Sequence, residues 1–396
     1  MGRGVGNVTR SQVEDEIIKP FLMSGASAGS GILDRPLICE LPKAEMHLHL
    51  DGSMRIATIK ELADERGIAL PSNDIDELTR ELIVLDKARS VGDYLTKFAY
   101  PLAVLQDAEA LERAAYELVE DLEKENVFYA EIRYAPMLHI NKGLRMEEAI
   151  EAVLEGIRRG QEKTGVRAGV IACCMRHLSP DQNLAMTQVA VRYHDYGLVG
   201  LDLAGDEANY RRDILPWEAF KLAREKGLGI TVHAGEAAGA DSIRAALEMG
   251  ATRIGHALRL GDDPALVEEV SRRGVVLEIC PTSNVQTQSV SGLTTHPVAA
   301  YLKSDLAVTV NTDNRTISHT TMTDEYELLA NSFCWGINEM HATTLSAFQG
   351  AFLPESEKRD LLFQWSKRWL ECYDQRQNGR DVLQDFSSVE GIEEAC

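Results

Sequence analysis

The sequence predicts an α/β fold, and within that class a (β/α)8 TIM barrel with extra helices. Eight short apolar segments, each typical of a parallel strand buried on both faces, alternate with segments of helical periodicity. Histidine, aspartate or glutamate follows five of these eight segments, at the strand ends where such a barrel carries its active residues. A doubly wound open sheet is the alternative, but no glycine-rich phosphate-binding motif opens any helix.

The strands are predicted from short apolar runs and the helices from apolar residues that recur every three to four positions. The first helix illustrates the second pattern, because Ile56, Ile59 and Leu62 share one face and Gly67 provides a stop. The predicted strands cover residues 46–50, 127–134, 166–175, 198–203, 229–233, 253–256, 275–280 and 307–311. The predicted helices include residues 55–66, 107–124, 146–163, 181–193, 241–249 and 263–272.

Composition separates this region from both ends of the chain. Residues 1–38 are rich in glycine and serine, which predicts a flexible N-terminal arm. Residues 39–376 are predicted to form the catalytic barrel domain, and residues 377–396 a polar, acidic C-terminal tail.

Charge and cysteine content limit the partners of this protein. The net charge of −21 would repel a nucleic acid or another polyanion. The seven cysteines show neither zinc-finger nor C-x-x-C spacing, which fits a reducing cytosol. No apolar run approaches the length of a membrane span. We therefore expect a cytoplasmic protein with a small-molecule partner and without nucleic-acid or membrane partners; the sequence leaves the oligomeric state open.

The most informative motif is His47-Leu48-His49, at the end of the first predicted strand. Side chains alternate faces along a strand, so the two imidazoles point the same way. Such a pair can bind a borderline metal such as Zn²⁺, although two histidines on a strand are more often ordinary packing residues.

The other strand ends strengthen the metal interpretation. Three histidines, His47, His49 and His233, together with one carboxylate would form a metal shell with room for a water molecule. Glu236 and His256 remain as acid–base candidates beside that water. The remaining polar residues at these ends are Asp51, Asp202, Gly205, Asp206, Glu207, Ser283, Asn284, Asp313 and Asn314. The other six histidines, which are expected to be structural or exposed, are His139, His177, His194, His296, His319 and His341.

Eight motifs between Leu41 and Asn314 resemble the adenosine deaminase family of metal-dependent amidohydrolases. They occur in the order typical of that family and read LPKAEMHLHLDGS, DYLTKFAYPL, FYAEIRYAP, GLDLAGDE, VHAGE, RIGHAL, CPTSN and VTVNTDN. The resemblance implies hydrolytic deamination of adenosine and 2′-deoxyadenosine, with release of ammonia and one zinc ion per chain.

The same resemblance implies a role for each matching residue. The zinc ligands would be His47, His49, His233 and Asp313. Glu236 would protonate purine N1, and His256 would orient or deprotonate the attacking water. Gly205 would donate its N–H to purine N3, and Asp51 would receive a ribose hydroxyl. Asp202 is placed with the substrate-binding residues, and the segment that contains Tyr94, Leu95 and Phe98 would form an apolar lid.

One departure and two alternatives remain. The family usually has a second acid that contacts purine N7, where this chain has Asn314, so the purine selectivity is open. Another 6-aminopurine, such as adenine or aminofutalosine, is the alternative substrate, although Asp51 favours the adenosine branch. A growth-factor-like binding protein that keeps the barrel is an alternative of a different class; it would predict a signal peptide and eroded metal ligands.

Overall fold

Eight parallel strands form a ring in chain order. The computed structural model describes residues 33–208 and 211–387, with side chains described to residue 373. Each strand pairs in parallel with the next one along the chain. The strands are β1 (Lys43–His49), β2 (Val127–Tyr134), β3 (Arg167–Met175), β4 (Leu198–Ala204), β5 (Gly229–Ala234), β6 (Arg253–His256), β7 (Val276–Ile279) and β8 (Val308–Val310).

The ring closes where the end of β1 meets the segment that follows β8. The N–H of His49 donates to the carbonyl of Asp313 at 2.8 Å, and the N–H of Asp313 donates to the carbonyl of His47 at 3.0 Å. Leu48 and Asp313 form the corresponding parallel bridge. Backbone hydrogen bonds alone therefore place Asp313 beside the two histidines of β1, and the closed barrel replaces the open-sheet alternative.

Helices surround the barrel, and their apolar faces share one continuous core with the strands. None of the helices within the described ranges has both the length and the apolar character needed to cross a bilayer. The helices are α1 (Arg35–Glu40), α2 (Ile56–Arg66), α3 (Ile75–Leu82), α4 (Val91–Leu95), α5 (Ala99–Val104), α6 (Ala108–Lys124), α7 (Met146–Thr164), α8 (Pro180–Ala190), α9 (Trp217–Glu225), α10 (Ala240–Met249), α11 (Pro264–Arg273), α12 (Pro281–Gln286), α13 (Val298–Lys303), α14 (Met322–Phe333), α15 (Ile337–Gly350) and α16 (Glu355–Ser387).

The predicted barrel is confirmed, with the largest shift in a strand start at β1. This strand begins at Lys43, three residues before the predicted start, because its polar residues are buried with partners. The ammonium of Lys43 donates to the carbonyls of Leu41 at 3.0 Å and Glu125 at 2.6 Å. The Glu45 carboxylate accepts the N–H of Thr312 at 2.7 Å. A prediction based on apolar runs therefore missed the first three residues of β1, because two of them are polar and buried.

The predicted N-terminal boundary at residue 38 is wrong, because α1 belongs to the ordered body. The Asp34 side chain caps this helix by accepting the N–H of Leu37 at 2.9 Å. Leu37 and Ile38 are buried, so a segment assigned to the arm contributes to the core. The rest of the predicted arm, residues 1–32, lies outside the described residues.

The predicted C-terminal boundary also falls inside an element. Helix α16 continues past residue 376 and ends at Ser387. Residues 388–396 of the predicted tail lie outside the described residues.

Two tryptophans fix α16 to the barrel. The indole N–H of Trp365 donates to the carbonyl of Pro42, just before β1, at 2.9 Å. Its ring lies 5.1 Å from that of Phe348 and 5.3 Å from that of Trp369. Both tryptophans are buried, whereas Phe363 on the same helix is exposed.

We predict that Trp365→Ala lowers the free energy of unfolding by about 3–5 kcal/mol, because it removes a fully buried aromatic ring and leaves a cavity. Phe363→Ala is the matched control and should change it by no more than about 0.5 kcal/mol. Denaturant unfolding of both variants checks this. Equal losses would contradict the assigned role of Trp365.

Candidate active site

A cavity of about 320 Å³ opens at the carboxyl ends of the strands. This volume lies at the lower end of the range of small-molecule sites. Histidines and carboxylates form its polar wall, and aliphatic and aromatic side chains form its apolar wall. The polar wall includes His49, Asp51, His233, Glu236, His256, Asp313 and Asn314; the apolar wall includes Val91, Leu95, Phe98, Leu102 and Leu138.

Four residues on the polar side form a cluster whose atoms could hold one metal ion. One candidate ligand atom from each of His47, His49, His233 and Asp313 lies within 4.8 Å of the others. Asp313 Oδ1 lies 3.5 Å from His47 Nε2 and 3.3 Å from His49 Nε2. The Nε2 atoms of His49 and His233 are 3.2 Å apart. His47 Nε2 is buried and has no hydrogen-bond partner among the described residues, which fits a ligand atom directed at an ion.

Buried carboxylates orient two of these histidines from behind. Glu278 accepts a hydrogen bond from His47 Nδ1 at 2.8 Å, and Asp202 accepts one from His233 Nδ1 at 2.9 Å. Each bond places the proton on Nδ1 and leaves the Nε2 lone pair free to bind a metal. The guanidinium of Arg133 lies between the carboxylates, 3.0 Å from Asp202 and 2.8 Å from Glu278.

Burial and charge keep these groups in the forms that metal binding requires. Burial, followed by the charge of Arg133, lowers the pKa of His47, and burial lowers the pKa of His49 further. Both rings are therefore neutral at pH 7. Burial alone would raise the pKa of Glu278, but Arg133 and Arg253 outweigh it and hold this carboxyl ionised.

Glu236 and His256 form an acid–base pair beside the cluster. Both are buried, and Glu236 Oε2 lies 3.8 Å from His256 Nε2. Burial raises the pKa of Glu236 above its ordinary value, although His256 opposes the shift. A buried carboxyl with a raised pKa can carry a proton near neutral pH and deliver it to a bound ligand.

Glu207 holds the loop that carries Glu236. Its carboxylate accepts the backbone N–H groups of Gly235 at 3.1 Å and of Glu236, Ala237 and Ala238 at 2.9 Å each. Four donors directed at one buried carboxylate fix the conformation of this loop, and hence the position of the Glu236 side chain.

The remaining residues of the cavity could hold a planar polar ligand. Burial raises the pKa of Asp51 to about 6, so this carboxyl is largely ionised at pH 7 and accepts hydrogen bonds. A Cβ atom on Gly52 would lie 1.9 Å from Oδ1 of Asn314, so only glycine allows the Asn314 side chain to occupy its position. The segment predicted to form the lid is hydrogen-bonded to the chain that follows Asn314, where the hydroxyls of Tyr94 and Ser318 are 2.7 Å apart.

Comparison with known proteins decides which family this arrangement belongs to. The family model described as adenosine deaminase matches residues 42–367, which is most of the chain. The chain belongs to the adenosine deaminase family. It is 40% identical to the adenosine deaminase of Clostridium perfringens strain 13, over 82% of this chain and 98% of that protein. It is 39% identical to the adenosine deaminase of Enterococcus faecalis, over 83% of this chain and 97% of that protein.

Solved structures show the same architecture. The adenine deaminase of Arthrobacter aurescens superimposes with a TM-score of 0.77 at 27% identity, covering 84% of this chain and 99% of that one. Membership of the family and the histidine–aspartate cluster agree with the predicted metal-dependent enzyme.

The structure brings together all but one of the residues that the sequence assigned to the site. The exception is Asp202, which was expected beside the substrate. It is fully buried behind His233 and bonds to Arg133, so it orients a candidate metal ligand and does not line the cavity. Its position within β4 explains the error, because alternation directs it into the barrel interior.

Two supporting residues were not singled out in the sequence, because they lie inside strands. Arg133 and Glu278 are charged residues in β2 and β7, which no motif of metal chemistry marks. His296, expected to be structural or exposed, is buried and its Nε2 lies 3.2 Å from Asn284 Oδ1. His177, with the same expectation, is exposed and lines the edge of the cavity.

We predict that Glu207→Gln loosens the loop of residues 235–238, because an amide NH₂ group cannot accept the hydrogen bonds that one carboxylate oxygen now accepts. The free energy of unfolding should fall by about 1.5–3 kcal/mol for each charged hydrogen bond lost. Hydrogen exchange of the loop amides should accelerate. Glu218→Gln removes an acid that is 71% exposed and serves as the control. Unchanged exchange in Glu207→Gln would contradict the role of this carboxylate.

Proposed function

We propose that this protein deaminates adenosine and 2′-deoxyadenosine by hydrolysis. Water adds to C6 of the purine, the bond from C6 to the amino nitrogen breaks, and inosine or 2′-deoxyinosine and ammonia are released. The observation that carries the proposal is one cavity in which a candidate metal cluster, Glu236 and His256 share a wall, in a chain of the adenosine deaminase family.

One zinc ion per chain is proposed as the metal, held by His47, His49, His233 and Asp313. Three imidazole nitrogens and one carboxylate oxygen suit zinc. The unpartnered Nε2 of His47 and the carboxylate behind His233 support this ligand set. When bound, zinc would lower the pKa of a water molecule toward neutrality and so make hydroxide available at pH 7.

Glu236 is proposed as the proton donor to purine N1. The ring carbon C6 is a poor electrophile until N1 is protonated, and burial raises the pKa of Glu236, which favours its protonated form. His256 lines the same cavity and is proposed to act on the attacking water. The backbone N–H of Gly205 is assigned to purine N3, in a turn whose φ of +99° glycine adopts without steric cost.

Asp51 and the lid set the proposed substrate size. An ionised Asp51 can accept a hydrogen bond from a free ribose hydroxyl, and its charge would repel a phosphate. Leu95 and Phe98 belong to the apolar wall, against which the purine ring of a nucleoside could pack. Asn314 can donate its NH₂ group to unprotonated purine N7.

Adenine deamination is the second candidate. It is favoured by the likeness of the fold to an adenine deaminase of known structure. Adenine lacks a ribose, so it would leave Asp51 without the hydroxyl that we assign to it.

We predict that Glu236→Gln keeps the metal but loses about 10²–10⁴-fold in kcat, because glutamine is nearly isosteric and cannot transfer the proton. Steady-state kinetics with adenosine, together with metal analysis of the same preparation, checks this. Turnover close to that of the unmodified enzyme would show that another group donates the proton.

We also predict that kcat/KM ranks adenosine and 2′-deoxyadenosine far above adenine and AMP. A spectrophotometric comparison of the four compounds measures the ranking. Asn314→Asp should leave the order unchanged, because purine N7 is common to all four compounds. A tenfold preference for adenine, about 1.4 kcal/mol in transition-state binding, would favour the second candidate.

A further inference from the structure

Three buried side chains connect the acid–base wall to a backbone N–H group outside the site. The N–H of Val298, at the start of α13, donates to Nδ1 of His296 at 3.1 Å. Nε2 of His296 lies 3.2 Å from Oδ1 of Asn284, on α12. Nδ2 of Asn284 lies 2.9 Å from Nδ1 of His256, at the end of β6. All three side chains are at least 96% buried.

The backbone group fixes the direction of every hydrogen bond in this series. A backbone N–H can only donate, so Nδ1 of His296 carries the lone pair and the ring proton is on Nε2. That proton is donated to the Asn284 side chain, so the asparagine must present its oxygen on this side. A reversed amide would place two donors against each other. Burial lowers the pKa of His296 to about 4, in agreement with the single ring proton.

The same reasoning then fixes His256. With its oxygen facing His296, Asn284 directs its NH₂ group at Nδ1 of His256, which must accept. A neutral His256 therefore carries its proton on Nε2, the nitrogen nearest to the Glu236 carboxyl at 3.8 Å.

We propose that Asn284 and His296 are positioning residues that hold His256 in the Nε2–H tautomer, so that it donates a hydrogen bond into the cavity. This inference rests on the proposed deamination and decides between the two roles that the family resemblance left open for His256. A ring with a proton on Nε2 orients the attacking water and stabilises negative charge that develops on its oxygen. It cannot accept the proton of that water at the same nitrogen.

Two substitutions, one at Asn284 and one at His296, test the direction of these hydrogen bonds. Asn284→Asp keeps the shape but replaces the donor with a carboxylate, which favours a proton on Nδ1 of His256. His296→Leu removes the group that fixes the amide. His296→Gln is the matched control, because its oxygen can accept the Val298 N–H while its NH₂ group donates to Asn284.

The readout is a long-range ¹H–¹⁵N spectrum of the metal-loaded enzyme with labelled histidine, recorded without substrate. The signals of His256 are identified by their loss in His256→Gln. We expect the Nε2–H pattern in the unmodified enzyme and in His296→Gln, and a proton on Nδ1 in Asn284→Asp. We also expect Asn284→Asp and His296→Leu to lower kcat at least tenfold, with KM and metal content nearly unchanged, and His296→Gln to retain turnover.

The spectrum separates this proposal from the proposed function. A proton on Nδ1 of His256 in the unmodified enzyme would overturn the inference, even if adenosine is deaminated normally. So would equal kcat losses in His296→Leu and His296→Gln, since a purely structural role predicts them. An Nε2–H pattern without deaminase activity would instead refute the proposed function. If Asn284→Asp does not fold, the kcat values of His296→Leu and His296→Gln still test the positioning role.

Discussion

The site depends on one buried guanidinium. Arg133 lies between Asp202 and Glu278 inside the barrel and pairs with both carboxylates. Without Arg133, Asp202 would be buried without its guanidinium partner, and Glu278 would keep Arg253 at 2.6 Å. Burying an unpaired carboxylate is costly, and protonation would remove an acceptor that holds His233 or His47. The charge of Arg133 therefore sets the ring orientation of two candidate metal ligands that it does not touch itself. Because Arg133 also donates to the carbonyl of Met46 at 2.7 Å, the same group anchors the strand that carries His47.

Closure of the barrel positions the remaining candidate metal ligands. Backbone hydrogen bonds between the end of β1 and the segment after β8 place Asp313 beside His47 and His49. Asp313 is more than 260 positions from both histidines in sequence, but the first and last strands of a closed barrel are neighbours. Asp313 adopts a φ of +63° and His256 a φ of +66°, which are uncommon for residues with a side chain. Both lie at strand ends on the polar wall, where hydrogen bonds from Ser283 and Asn284 hold their side chains. These two positive-φ residues are therefore held in place at the site by side-chain hydrogen bonds.

The sequence was sufficient for the fold and for most polar residues that line the cavity, because both leave local patterns. Alternation in His47-Leu48-His49 indicates a shared face, and short apolar runs mark parallel strands. The sequence was insufficient for Arg133, Glu278 and the observed position of Asp202. Their ion pairs join β2, β4 and β7 across the barrel, and no local sequence spacing indicates such contacts. Lys43 and Glu45 misled the prediction of β1 for a similar reason: their partners, Glu125 and Thr312, are distant in sequence.

Metal analysis of protein purified without chelators tests whether the four residues at the strand ends hold one catalytic zinc ion. We expect about one zinc per chain in the unmodified protein and loss of most of it in His233→Ala, since removing one of four ligands weakens the site while Asp202 and Arg133 remain. Removal of the metal with a chelator should abolish deamination. Protein that contains no divalent metal and stays active after chelation would rule out the zinc site.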